Sequence, residues 1–250
     1  MYDPAGYGDN WADVYDEYVS DRSASLDPTP AAEFLIKLAR GGPVLELGIG
    51  NGRVALPLAE AGLAVRGIDA SERMLALLRS KVESKGLDGL VTWFQGDFSC
   101  FESPTRYPLV YAIYDAVLLL PRQEDQLNCF SHVGRALEVG GRFVLEAHVP
   151  NPAAFVDNKR LEIVRVGVST VEIRVNEHRP VQQQFVGNYI WLGESGVRVK
   201  PLLMRYAWPS ELDLMAKLAG LKLEGRYGGW RGEIFDSSCT NHVSLYVKAA

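Results

Sequence analysis

Cysteine is scarce in this 250-residue chain: there are three, Cys100, Cys129 and Cys239. Their number is odd and their spacing wide, which excludes a disulfide framework and a cysteine-built metal cluster and fits reduced thiols in a cytoplasmic protein. Excess positive charge is missing too. The formal net charge is −5, and without a basic stripe there is nothing to neutralise phosphates, so no nucleic-acid partner is expected. No apolar run is long enough to span a bilayer. The opening MYDPAGYGDNW lacks the basic and apolar regions of a secretory leader, so neither membrane nor export is expected. No Asp, Glu and His cluster has the spacing of a divalent-metal site, and no metal is expected.

What is present is a chain 47% hydrophobic, sized for one α/β domain with a core that needs no staples. From Pro43 to Val149 short β-rich runs alternate with helical patterns. The runs are Pro43–Leu47, Ala64–Ile68, Val91–Gln95, Leu109–Ile113 and Arg142–Glu146. Between them Val54, Leu58 and Ala61, then Met74, Leu75 and Leu78, fall at helical periods. Repeated βα units of this length predict a parallel sheet covered on both faces. Gly140-Gly141 reads as a turn before the fifth strand.

The pattern changes after Val149. From about Leu161 to Trp208 helical periodicity is lost, and Val171–Val175 alternates apolar and polar. Gln184–Leu192 and Val197–Ala207 read as strands joined by a hairpin at Gly193-Glu194-Ser195-Gly196. This predicts an antiparallel insertion, with a helix over Pro209–Ala219 and strands over Leu221–Tyr227 and His242–Lys248 after it. The expected division is 1–30 as an N-terminal helical lid, 31–150 as the ligand-binding core, 151–208 as the insertion and 209–250 as the elements completing the core. The lid is rich in aromatics: Tyr2, Tyr7, Trp11, Tyr15 and Tyr18. Trp11, Tyr15 and Tyr18 stand at the spacing of one helix face, and Gly6 and Gly8 flank Tyr7 as hinges.

Val44 to Arg53, VLELGIGNGR, is the most informative stretch. An apolar strand runs into a glycine-rich turn and a helix, at the strand end where open α/β sheets bind ligands. A dinucleotide fingerprint counted from Gly48 and Gly50 requires glycine at position 53, where Arg53 stands. Glu46 would repel a pyrophosphate and attract an ammonium or sulfonium. Glu46, Gly48, Gly50 and Gly52 resemble motif I of the class I S-adenosylmethionine-dependent methyltransferases, E/D-x-G-x-G-x-G. Two further acidic positions of that family are matched by Asp69, in IDAS, and Asp97, in GDF.

The resemblance implies a Rossmann-like, seven-stranded, mostly parallel sheet with an antiparallel β insertion before the last helix, and S-adenosylmethionine as cofactor. It implies Asp69 for the ribose hydroxyls, Asp97 for the adenine amino group, and Phe98 and Met74 for the adenine faces. Tyr15, Asn51, Ala70, Ser71, Ile113 and Tyr114 complete the expected cofactor contacts. The layout is also similar to bacterial small-molecule methyltransferases, amino-sugar and antibiotic-tailoring enzymes among them. That implies a small-molecule acceptor.

Methyl transfer from a sulfonium asks the protein to position a nucleophile and exclude water. Candidates belong at the ends of strands four and five. His148 is the candidate general base, since an imidazole titrates near neutrality, and Asp115 could orient an amine or accept a proton. Tyr7 joins them as a lid residue, because aromatic faces attract methylated cations. Tyr7, Trp11, Trp191, Tyr206, Trp230 and Arg231 are the expected acceptor contacts. With no metal site or base dyad legible, an amine acceptor is favoured over an O-methyltransferase that uses His148. The rival of another class is a non-catalytic adenosylmethionine sensor; a nicotinamide oxidoreductase is disfavoured by Glu46 and Arg53. The insertion also offers a surface for a homo-oligomer.

Overall fold

The computed structural model describes residues 3–22, 26–194 and 196–249; Tyr2 and Ser195 lie outside them. Two short helices, α1 (Gly6–Trp11) and α2 (Tyr15–Ser20), precede α3 (Thr29–Ala39). The βα alternation follows as β1 (Val44–Leu47), α4 (Ala55–Glu60), β2 (Val65–Asp69), α5 (Glu72–Lys85), β3 (Val91–Gln95), β4 (Tyr107–Ala112), α6 (Gln123–Ala136) and β5 (Leu137–His148). Next come β6 (Lys159–Val166), β7 (Thr170–Arg179), β8 (Gln184–Gly193) and β9 (Gly196–Arg205). The chain closes with α7 (Pro209–Leu218), β10 (Leu221–Tyr227) and β11 (Asn241–Lys248).

Seven strands form one sheet in the order β10-β11-β5-β4-β1-β2-β3. β11 is antiparallel to both neighbours and the rest pair in parallel. The central strands are buried on both faces, as parallel strands covered by helices must be. On one face Phe143 of β5 and Tyr246 of β11 pack with Phe130 of α6; the other face is covered by Leu35 of α3, Leu58 of α4 and Leu78 of α5. Each such side chain contributes roughly 1.5–3 kcal/mol when fully buried. α5 shows why its ends fall where they do: the Ser71 hydroxyl accepts from the Met74 N–H at 3.1 Å, and Gly86 ends the helix at φ 64°.

Two expectations need correction. Gly140-Gly141 is not a turn before strand five, because β5 already starts at Leu137. Instead the pairing jumps from Tyr107↔Leu137 to Leu109↔Arg142, and Gly140, at φ 76°, lets the strand take up the extra residues. The aromatic N-terminal segment is not one helix either. The chain breaks at Val14, φ −123°; Trp11 packs on the insertion while Tyr15, in the same aromatic cluster, also reaches a cavity beside Arg53.

The insertion is a second sheet, β6-β7-β8-β9. Its hairpin closes on the pair Gly193↔Gly196. Its amphipathicity is inverted. The inner side carries Glu172, Arg174, Arg198 and Lys200 beside Tyr189 and Trp191. The outer side carries the row Ile163–Ile173–Ile190–Val199 and the row Val166–Val171–Leu192–Val197. No helix among the described residues is long and apolar enough to cross a membrane.

Candidate active site

The carboxyl ends of β1, β2, β4 and β5 open into a cavity of about 620 Å³, roofed by α1, α2 and the inner side of β8 and β9. Its floor is the glycine turn, where Gly48, Gly50 and Gly52 all have positive φ, at 74°, 54° and 83°. A Cβ on Gly50 would meet only the carbonyl oxygen of Gly48 within 4 Å, so its space belongs to the cavity. A Cβ on Gly52 would come within 2.5 Å of Leu78 Cδ1; Gly52 serves helix packing and does not line the cavity. Asp69 ties the turn to β2, accepting from the N–H of Gly50 at 2.8 Å and of Ser71 at 2.9 Å.

Glu46 is 3% exposed and accepts from the Tyr111 hydroxyl at 2.9 Å. Burial pushes its carboxyl up to about 8, against the Tyr111 bond and the Arg53 charge. No salt bridge among the described residues reaches it. Beside it the Arg53 guanidinium lies 3.3 Å over the Tyr114 ring, and its buried Nε has no hydrogen-bond partner among the described residues. A buried acid that no salt bridge reaches among the described residues, and an arginine with a spare donor, suit a ligand that carries both charge signs. The amino-acid end of S-adenosylmethionine does so, and the glycine cradle leaves it room. The residues therefore fit the cofactor.

The other expected cofactor residues divide. Tyr15, Asn51, Ala70, Met74, Phe98, Ile113 and Tyr114 line the cavity. Ser71 does not, because its hydroxyl caps α5 and donates to Asp9 at 2.6 Å. Asp97 also stands off the cavity wall, its carboxylate accepting from the Ser99 N–H at 2.8 Å.

Asp115 and His148, both on the cavity wall, form a dyad. Tyr114 and Asp115 take left-handed conformations, φ 52° and 63°, uncommon for residues other than glycine. This turn carries the Asp115 carboxylate to the His148 N–H at 2.8 Å and to Nδ1 at 3.1 Å. A carboxylate only accepts, so Nδ1 holds the proton and Nε2 offers a lone pair. Burial opposes charge on His148, but the Asp115 charge and hydrogen bond outweigh it, and the imidazole titrates above its ordinary value. Burial likewise pushes Asp115 up, yet its interactions with His148 prevail and hold it below the usual carboxylate range.

Tyr7 lines the cavity, and burial raises its phenol well above the ordinary value. It keeps its proton and offers a ring face or a donor, not a base. The remaining expected acceptor contacts are elsewhere. Trp11 is 1% exposed, donates Nε1–H to the Pro201 carbonyl at 3.1 Å and packs edge-on against Trp191 and Tyr189. Both tryptophans bind lid to insertion. Tyr206 stacks on Phe185 and meets His178 Nε2 at 3.1 Å. Trp230 donates to Glu146 at 2.9 Å, and the Arg231 side chain is exposed. Sequence reasoning passed over Glu146, which lines the cavity and also accepts from the Tyr114 N–H at 2.9 Å. It also passed over Arg53 as a cavity residue, and over Asn188.

A methyltransferase-domain family matches residues 44–141. The CcbJ methyltransferase from Streptomyces caelestis has a solved structure that is 38% identical, with all of both chains covered and a TM-score of 0.94. The chain belongs to the S-adenosylmethionine-dependent methyltransferases. The cypemycin N-terminal methyltransferase from a Streptomyces species is 27% identical to this methyltransferase over 239 residues, covering 93% of this chain and 94% of that one. The fold also matches CalS10, an amino pentose methyltransferase from Micromonospora echinaspora solved with the cofactor bound. That match has a TM-score of 0.70 at 21% identity, covering 94% of this chain and 97% of that one.

Proposed function

We propose that this methyltransferase methylates an amine nitrogen of a small natural-product molecule, such as an amino sugar, with His148 as general base and Asp115 holding it. The observation that carries the reading is the dyad on the cavity wall. An amine near neutral pH is largely protonated and must lose a proton before it can attack. His148 Nε2 receives that proton, and Asp115 stabilises the imidazolium that results. The dyad removes the argument that no base was legible, and would equally serve a hydroxyl. The preference for nitrogen rests on the relatives, which include the cypemycin N-terminal methyltransferase and an amino pentose methyltransferase.

When bound, S-adenosylmethionine supplies a methyl group on a sulfonium. Gly48, Gly50 and Asp69 would hold its nucleoside side, and Glu46 and Arg53 its ammonium and carboxylate. Tyr7 and Tyr15 present aromatic faces that favour the cationic ligand, while α1 and α2 keep water out. A methyl-transfer screen of amines and phenols, with mass detection of product, tests the reading. N-methylated amines with turnover to S-adenosylhomocysteine are expected. O-methylated phenols alone would overturn the amine assignment, and cofactor binding without turnover on any acceptor would favour the sensor.

A further inference from the structure

Strand β4 runs into a turn that its own residues do not favour. Tyr114 and Asp115 have positive φ, 52° and 63°, and the Ala116 N–H donates to the Ile113 carbonyl at 3.2 Å. That is the pattern of a type I′ turn, whose central positions are dominated by Gly, Asn and Asp. A tyrosine in the left-handed region is uncommon, and such a conformation persists only where its surroundings hold it. The bond that closes the turn uses the Ala116 N–H, so the Tyr114 N–H needs a partner from elsewhere.

Glu146 is that partner. The pairing of Ala112 with Leu145 brings Glu146, the next residue of β5, to the foot of the turn. Its Oε2 accepts from the Tyr114 N–H at 2.9 Å, and its Oε1 accepts from the Trp230 indole N–H at 2.9 Å. Trp230 belongs to the loop between β10 and β11 and packs edge-on against Phe34 of α3. The carboxylate is thus anchored outside the turn it holds. One residue on, Asp115 reaches back across the strand ends to the His148 N–H and Nδ1.

We propose that Glu146 is a positioning residue: by bridging the Trp230 indole to the Tyr114 N–H, it holds the turn in the conformation that seats the Asp115 carboxylate on His148. Its part in catalysis rests on the reading of His148 as base. The groups that act on the His148 charge are Asp115 on the turn and Arg174 of β7. On β11 stands His242, kept neutral by burial and the Arg226 charge, at about 4. Asp115 raises the His148 titration, so that titration reports whether Asp115 is seated.

NMR titration of the imidazole nitrogens in the full chain without acceptor tests the proposal, with the His148 signals assigned through His148→Asn. Glu146→Asp keeps the charge but is one methylene too short to span to Tyr114. In Glu146→Gln with Trp230→Phe the charge is gone, but the amide oxygen can still accept from the Tyr114 N–H with no indole N–H competing for it. The His148 titration should fall toward the ordinary imidazole value in Glu146→Asp and stay nearer the wild type in the double variant. kcat should follow, lost about 10–100-fold in Glu146→Asp. In a Tyr114→Gly background glycine takes the positive φ unaided, so there Glu146→Asp should move the titration less, a comparison that remains if Glu146→Asp alone does not fold by circular dichroism. A Glu146→Asp protein that titrates as the wild type, or a double variant that falls as far as Glu146→Asp, overturns the proposal. So does a Tyr114→Gly background in which Glu146→Asp has its full effect. If the titrations follow the expected order while the pH inflection of kcat does not, the base reading of His148 fails and the hold of Glu146 on the turn stands.

Discussion

The two halves of the cavity are built differently. The glycine-turn half is backbone on a buried sheet: Gly48, Gly50 and the carboxylate of Asp69 stand on strands whose side chains are almost wholly enclosed. The lid half is held by side chains. Asp13 pairs with Lys200 at 2.7 Å, Glu17 with Arg198 at 3.3 Å, Asp21 with Arg165 at 2.8 Å, and Arg22 with the buried Glu172. Trp11, Tyr18 and Tyr189 form the aromatic knot between them. A backbone cradle pre-shapes itself for a ligand that does not vary. A wall held largely by ion pairs at its surface, such as Glu17–Arg198 and Asp21–Arg165, each worth about 0–1 kcal/mol, is easily rebuilt for a different acceptor.

The hardest blow to the first half is Gly50→Val. The side chain would enter the cavity from a positive φ that strains valine, so S-adenosylhomocysteine binding should vanish in calorimetry and the melting temperature should fall by that backbone strain alone. Gly52→Val should lower the melting temperature much further, because it adds a clash with Leu78 and Leu56 to the same strain, and should obstruct the cavity less. Unchanged affinity in Gly50→Val breaks the division.

Next in size is Asp115→Asn. The variant keeps His148 but removes the charge that orients it, so kcat should fall by up to the about 10²–10⁴-fold that a positioned base supplies, with cofactor affinity kept. The pH profile carries the sign. His148 must be neutral to accept a proton, so activity falls as pH drops through its raised pKa. In Asp115→Asn the charge that raises this pKa is gone, so the inflection should move to lower pH. An unmoved inflection would mean that His148 does not titrate in the reaction.

Asp69→Ala should weaken cofactor binding by about 1.5–3 kcal/mol, the scale of hydrogen bonds to a charged group. A ligand lacking the ribose should lose less. Equal losses for both would mean that Asp69 works only through the loop it ties down.

The smallest effect is a proton count. With its carboxyl at about 8, Glu46 is mostly protonated at pH 7, and a cationic ligand beside it draws out the proton. Calorimetry in buffers of different ionisation enthalpy should show release approaching one proton per cofactor bound. The release should disappear in Glu46→Gln. Release that persists in that variant would move the effect to another group.

Most of the sheet was legible because parallel strands buried on both faces must be apolar runs, and the runs stood between helical periods. Strand β6 was not named, since Lys159–Val166 alternates around a bulge at Ile163/Arg165. The glycine turn was legible because positive φ is written in glycine. Ser71 and Asp97 were placed in the right stretches, but a carboxylate or hydroxyl at a strand end can turn to a backbone N–H as well as to a ligand.

The chain by itself determined the βα frame, the glycine cradle and the acid beside it, because periodicity and backbone freedom are local properties. Tertiary structure alone decided the dyad. Ala112 pairs with Leu145 across β4 and β5; three residues further along each chain stand Asp115 and His148, 33 positions apart in sequence. It also decided that Trp11 and Trp191 join lid to insertion, and that the insertion sheet wears its polar side inward. Those facts depend on which faces meet, and a sequence records only the order of its residues.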